Sequence, residues 1–188
     1  MAIISCRQAW ENMTKATDGG SVRNYTQELD MSDYLVETEL FSKPVLEAYS
    51  AWNLEQEITD DQKQYFSDLR GGGQGDYRDG MAAKINNVVE CLTEFPKSKR
   101  AIITISNFPN HNHQSDDQAK CLREIHLALN DDNQLIGTVF FRAQASLIFP
   151  KNIHFIGSVM SEVAKALPSK PTLGSLFYLA TILVSDRS

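Results

Sequence analysis

Basic charge is in short supply in this chain. Its 18 lysines and arginines face 24 aspartates and glutamates, a formal net charge of −6 over 188 residues. Such a surface suits a nucleic acid backbone poorly, because binding there draws on an excess of Lys and Arg. A local basic pocket for one phosphate remains compatible with it. Cysteine is also scarce: Cys6, Cys91 and Cys121 are odd in number and contain no CxxC spacing. That leaves no zinc or dithiol motif and predicts a reduced, cytoplasmic chain with no metal. Long apolar runs are missing. Leu176 to Val184, the longest, is broken by Thr181 and is far short of the ~20 residues of a membrane helix, so it predicts a buried strand and no membrane partner. Arg7, Trp10 and Glu11 interrupt any signal-peptide pattern at the start. Internal repeats and low-complexity linkers are absent too.

What remains is 42% hydrophobic and 22% charged, enough for a single domain spanning residues 1–188 with its own core. A helix is expected over residues 3–16, with Ile4, Trp10 and Met13 inward and Asp18-Gly19-Gly20 as its stop. Residues 33–41 alternate loosely as a strand, and residues 45–69 are helical in pieces. Thr59 and Gln62 have capping-box spacing, with Asp60 and Asp61 in the first turn. Ile85, Val88, Val89 and Leu92 mark one face of a helix ended by Pro96. Ala101 to Ile105 is a short buried strand. Ile125, Leu127 and Leu129 alternate with His126 and Ala128, and the chain returns through Asp131-Asp132-Asn133 along Leu135 to Arg142, an antiparallel hairpin. Residues 152–166 are helical and Gly174 to Val184 is a last strand. Helices and strands interleave, which predicts an α/β (α+β) mixed sheet with packed helices.

Three segments, taken in order, resemble the thymidylate synthase and pyrimidine (dCMP, CMP) hydroxymethylase superfamily. The first is Phe95-Pro96-Lys97-Ser98-Lys99-Arg100 leading into Ala101-Ile102-Ile103. The second is Cys121, a strand, a turn, and a strand ending in Phe140-Phe141-Arg142. The third is Pro150-Lys151-Asn152-Ile153, opening a helix. Asp76-Tyr77-Arg78 and Val22-Arg23-Asn24 match more weakly. The similarity covers residues 75–167, and it rests on the order of the pieces.

The resemblance implies an enzyme that modifies C5 of a pyrimidine nucleotide by methyl or hydroxymethyl transfer. A thiolate adds to C6 and makes C5 nucleophilic, with methylenetetrahydrofolate as the family's one-carbon donor. Cys121 stands at the nucleophile position; the plainer reading is a small buried cysteine. Arg142 matches a phosphate-binding arginine beside the thiol, against an ordinary strand-end arginine. Lys99 and Arg100 match two arginines that reach the partner's phosphate, which implies a homodimer with shared sites; otherwise they are a solvated corner. Arg23 is a third phosphate candidate. Asn152 matches the asparagine that reads the pyrimidine edge and tilts the reading toward uracil, although it could equally cap a helix. His126 stands where the family has glutamine, facing either the site or solvent.

The pattern also departs from the family. The stretch from Arg142 to Asn152 is one residue short. Leu122 replaces a histidine, Ala143 a phosphate-binding serine, and Ala145 or Ser146 an aspartate. Lys151 replaces an aromatic on the folate side. Glu47 is the nearest counterpart of a catalytic glutamate. The sugar-binding His-x-Tyr expected near Ile182 to Val184 and the tail that closes over folate have no counterpart before Ser188. These losses sustain a second reading, a non-catalytic nucleotide-binding or structural dimer that keeps the fold without folate chemistry. His111-Asn112-His113 with Asp116 and Asp117 has the letters of an HNH or metal loop but lacks its frame, and reads as a solvated loop. The glycines of 71–75 fit neither a Walker A motif nor a dinucleotide fingerprint.

Overall fold

The computed structural model describes residues 2–67, 69–70, 75–105 and 120–186. Its elements follow one another as β1 (Ile3–Ser5), α1 (Cys6–Thr17), β2 (Val22–Asp30), α2 (Lys43–Asn53), α3 (Asp60–Lys63), α4 (Met81–Glu94), β3 (Ile102–Thr104), β4 (Leu122–Leu129), β5 (Gln134–Phe141), β6 (Gln144–Ala145), a 3-10 turn (Ser146–Ile148), α5 (Phe149–Ala166) and β7 (Thr172–Val184). The strands form one mixed sheet in the order β1-β2-β7-β5-β4-β3, with β6 also beside β7. The apolar run at the end of the chain thus becomes the central strand. β7 runs antiparallel to β2 and parallel to β5 and β6. The parallel pairing of β5 and β7 needs a crossover, and α5 supplies it.

Alternation along the strands separates the two faces of the sheet. Leu29, Ile103, Ile125, Leu127, Val139, Phe141, Leu176, Tyr178 and Ala180 are buried under the helices. α5 lies in the middle of that layer and packs on α1, α2, α4 and β7. Its residues Phe149–Gly157 are all buried, including Lys151, Asn152 and His154. On the opposite face the register lines up Ile102 with His126, His126 with Thr138, Ala128 with Ile136, Thr138 with Phe177, and Phe140 with Leu179. These side chains are half-buried or exposed, and no described helix covers them.

Several local expectations need correction. The first helix begins at Cys6, because Ser5 Oγ accepts the Gln8 amide at 3.2 Å and Ile3–Ser5 pairs alongside β2. Its buried residues are Cys6, Ala9, Met13 and Thr17; Trp10 is half-covered and Ile4 belongs to the strand. Residues 33–41 form no strand, and that role falls to β2, where charged and polar residues hide the alternation. The capping box of Thr59 and Gln62 is present, with bonds of 2.8 and 3.2 Å.

Candidate functional site

β4 begins where β5 ends, and this junction holds Cys121 beside Arg142. The Arg142 amide donates to the Cys121 carbonyl at 2.9 Å, and Arg142 Nε donates to the Lys120 carbonyl at 3.2 Å. The ladder between β4 and β5 shifts register between Leu122 and Glu124, the kind of bulge that re-aims side chains at a strand end. Cys121 is 9% exposed and Leu122 fully buried. The Leu122 amide makes a long 3.5 Å contact with the Tyr77 hydroxyl, and Tyr77 stacks on Phe155 of α5 at 5.7 Å. Tyr77 is placed in turn by Asn53, whose Oδ1 accepts the Tyr77 amide at 2.7 Å.

Asn152 sits inside the first turns of α5. It is not the helix cap, a position held by Ile148 without a side-chain bond. Asn152 Nδ2 donates to Gln144 Oε1 at 2.9 Å, and the Tyr178 hydroxyl donates to the same oxygen at 2.5 Å. Burial drives the Tyr178 phenol pKa well above its ordinary value, and Tyr77, Cys121 and Tyr25 push it the same way. Tyr178 also stacks on Phe141, the residue before Arg142, with ring centroids 5.2 Å apart, so it adjoins the end of β5 as well as the Asn152 cluster. Burial lowers the Lys120 ammonium pKa, opposed by Asp76, reinforced by Arg78 and opposed again by Asp79. Arg78 pairs with Asp76 at 3.5 Å and lies over Trp52 at 4.3 Å. Asp76, Arg78 and Asp79 thus surround Lys120, the residue before Cys121, while Asn152, Gln144 and Tyr178 form a neutral hydrogen-bonded cluster.

No family sequence model and no curated protein sequence matches this chain. The comparison of structures does find matches in fold. The thymidylate synthase from T4 phage superposes with a TM-score of 0.67 over 94% of this chain and 75% of that one, at 14% identity. The chain has a thymidylate synthase fold. At that identity the likeness concerns the fold, and the roles of individual residues rest on their own geometry.

Within this thymidylate synthase fold the remaining candidates scatter. Leu127 and Leu129 hydrogen-bond back to Ala101 and Pro96, so Lys99 and Arg100 lie at the opposite end of β4 from Cys121, roughly 20 Å away in the same chain. Lys99 lines a shallow groove on the bare face with His126, Ala128, Ile136 and Thr138. Arg100 lies over Phe95 at 5.9 Å. His126 is exposed on that face, paired with Glu124 at 3.1 Å and turned away from the helix layer that holds Asn152. Arg23 is exposed on β2 opposite Ile182, near the end of β7 that also pairs Gln144. Glu47 points to solvent and pairs with Lys43 at 3.8 Å, so it does not join the site. His111, His113, Asp116, Asp117 and Gly71 to Gln74 lie outside the described residues. Among the described residues no cluster of metal-ligating side chains occurs, and no helix is long and apolar enough to cross a membrane.

Gln144 and Tyr178 are not among the residues the sequence singles out, and Tyr77 enters there only within the weaker match Asp76-Tyr77-Arg78, without a role of its own. Gln144 did carry a signal, a polar residue amid Ala143, Ala145, Leu147 and Ile148; if buried, it had to be bonded. Tyr178 passed as one more apolar residue of the last strand.

Proposed function

We propose that the whole chain is one thymidylate synthase-like domain that activates C5 of a pyrimidine nucleotide through Cys121. The observation that carries this reading is the Cys121–Arg142 junction, where the cysteine and the arginine are locked backbone to backbone at 2.9 Å. In the reaction, the Cys121 thiolate forms a bond to C6 while the C5=C6 π electrons move toward C5 and the C4 carbonyl. C5 then takes a proton from solvent. Loss of the original C5 hydrogen and expulsion of the thiolate restore the ring, so hydrogen exchanges at C5 with no other reactant. A neighbouring guanidinium favours the thiolate and binds the nucleotide's phosphate. Arg142 serves both purposes here, and Asn152 contacts the base.

The fold is consistent with folate use, but the residues present fit a pterin poorly. Lys151, in place of an aromatic, is fully buried, donates to the Leu69 carbonyl at 2.7 Å and sits 4.9 Å over the Tyr49 ring. Ala145 offers no carboxylate.

The bare sheet face supports a homodimer. Half-buried Ile102, Ala128, Ile136, Phe140 and Leu179 with exposed Phe177 form the kind of contiguous apolar surface that a second copy covers. Lys99 and Arg100, beside that face, would then supply charge to the partner's phosphate, with Arg23 as a further candidate in the same chain.

The test is release of tritium from C5-labelled uracil and cytosine nucleotides, with and without methylenetetrahydrofolate, in wild type and Cys121→Ser. Release that disappears in Cys121→Ser is the expected result. A nucleotide that binds without any release would instead favour the non-catalytic dimer.

A further inference from the structure

Between β6, β7 and the first turns of α5, three buried polar side chains meet, and hydrogen-bond chemistry fixes which way each one points. The Ala145 carbonyl oxygen can only accept. It lies 2.6 Å from Gln144 Nε2, so the Gln144 carboxamide must present its nitrogen there and its oxygen elsewhere. That oxygen receives the Tyr178 hydroxyl at 2.5 Å and Asn152 Nδ2 at 2.9 Å. The Asn152 carboxamide is thereby fixed as well: its nitrogen faces Gln144. Among the described residues its carbonyl oxygen finds no hydrogen-bond partner, although Asn152 is only 1% exposed. Buried acceptors without a donor are uncommon in native proteins and call for an explanation. Tyr178 does not relieve it, because its single hydroxyl hydrogen is committed to Gln144.

We propose that Gln144 is a positioning residue that sets the polarity of Asn152, so that Asn152 offers a ligand its carbonyl oxygen. The ligand edge that fits is one carrying an N–H: the N3–H of uracil or the 4-amino group of cytosine. This rests on the nucleotide reading above and narrows it. An unconstrained asparagine reads donors and acceptors alike by turning its amide over; here that turn would set Asn152 Oδ1 against Gln144 Oε1. Asn152→Asp would do the same, because a carboxylate brings an oxygen to that contact whichever way it turns.

The experiment has a ligand-free arm and a ligand arm, both on the full chain. In the first, the side-chain amide protons of Asn152 are followed by 15N NMR. They are expected to exchange slowly in wild type and fast in Gln144→Met, which keeps the volume and removes the acceptor. Fast exchange in wild type overturns the proposal. In the second, calorimetry compares 2′-deoxyuridine 5′-monophosphate with its N3-methyl derivative, and 2′-deoxycytidine 5′-monophosphate with its N4,N4-dimethyl derivative. Wild type is expected to lose about tenfold or more in affinity on methylation of the base it reads. In Gln144→Met that ratio falls to within about threefold, a change that general loss of packing would not produce. The pair that responds identifies the base. Equal ratios in wild type and variant overturn the proposal. If Gln144→Met does not fold, wild type still decides through its amide exchange and its methylation ratios. Slow amide exchange with no binding of either nucleotide would uphold the positioning by Gln144 and overturn the nucleotide reading instead.

Discussion

The ring of Tyr34 lies flat against the bare backbone of Gly157: a Cβ on Gly157 would come within 2.2 Å of Tyr34 Cγ. This contact fastens the irregular stretch after β2 onto the central helix. Tyr34 also meets His154 edge-on, with ring centroids 5.4 Å apart. Gly157→Ala must therefore lift the tyrosine or shift the helix. The expected loss is about 1–3 kcal/mol of folding stability, measured by urea unfolding. An unchanged midpoint would mean that Tyr34 moves aside at no cost.

His154 is neutral by construction. Burial, helped by Lys43, pulls its pKa down from 6.5 to about 4, and its Nδ1 lies 2.7 Å from Ser50 Oγ. Between those values the unfolded chain binds the proton and the folded chain does not. Stability is thus complete above pH 6.5 and is lost as pH falls toward 4. From pH 7.5 to pH 5 this one group should cost wild type about 2 kcal/mol. His154→Gln should lack that component, so unfolding curves of the two proteins should converge at low pH. Parallel curves would place the acid sensitivity elsewhere.

Arg142 should act on phosphate. Arg142→Ala is expected to weaken a pyrimidine 5′-monophosphate about 10- to 100-fold and the corresponding nucleoside very little. Both affinities can be read by calorimetry. Equal losses for nucleotide and nucleoside would make Arg142 a clamp on the Lys120 and Cys121 carbonyls and nothing more.

Phe177, 36% exposed on the bare face, is expected to lie in the dimer interface. Phe177→Glu should weaken self-association by more than about tenfold, since a charge at an apolar contact must be desolvated. Sedimentation at micromolar concentrations, with circular dichroism as a check on folding, decides it. A wild type that stays monomeric would remove the dimer and with it the shared role of Lys99 and Arg100.

Much of the second half was legible because its signals are local. The hairpin of β4 and β5 alternates cleanly, and α4 repeats Ile85, Val88 and Leu92 on one face. The first half was harder. Arg23, Gln27, Glu28 and Asp30 obscure β2, whose existence depends on pairing with β7 at the far end of the chain. Residues 33–41 alternate like a strand, yet they pair with no described strand, and Tyr34 settles on Gly157 instead. Of the site, the residue types were readable and their company was not. His126 lies on β4, which begins right after Cys121, yet it faces the bare side of the sheet.

The sequence by itself determined the elements whose hydrophobic period is complete within a dozen residues, and the positions of Cys121, Arg142 and Asn152 along them. Only the tertiary structure decided which of these residues share an environment. Putting Thr172–Val184 at the centre of the sheet brings Tyr178 to Gln144, and the α5 crossover brings Asn152 to the same oxygen. Those are contacts between residues 8 and 34 positions apart. Side-chain polarity in such a cluster is set by mutual hydrogen bonding and burial, which a local period does not encode.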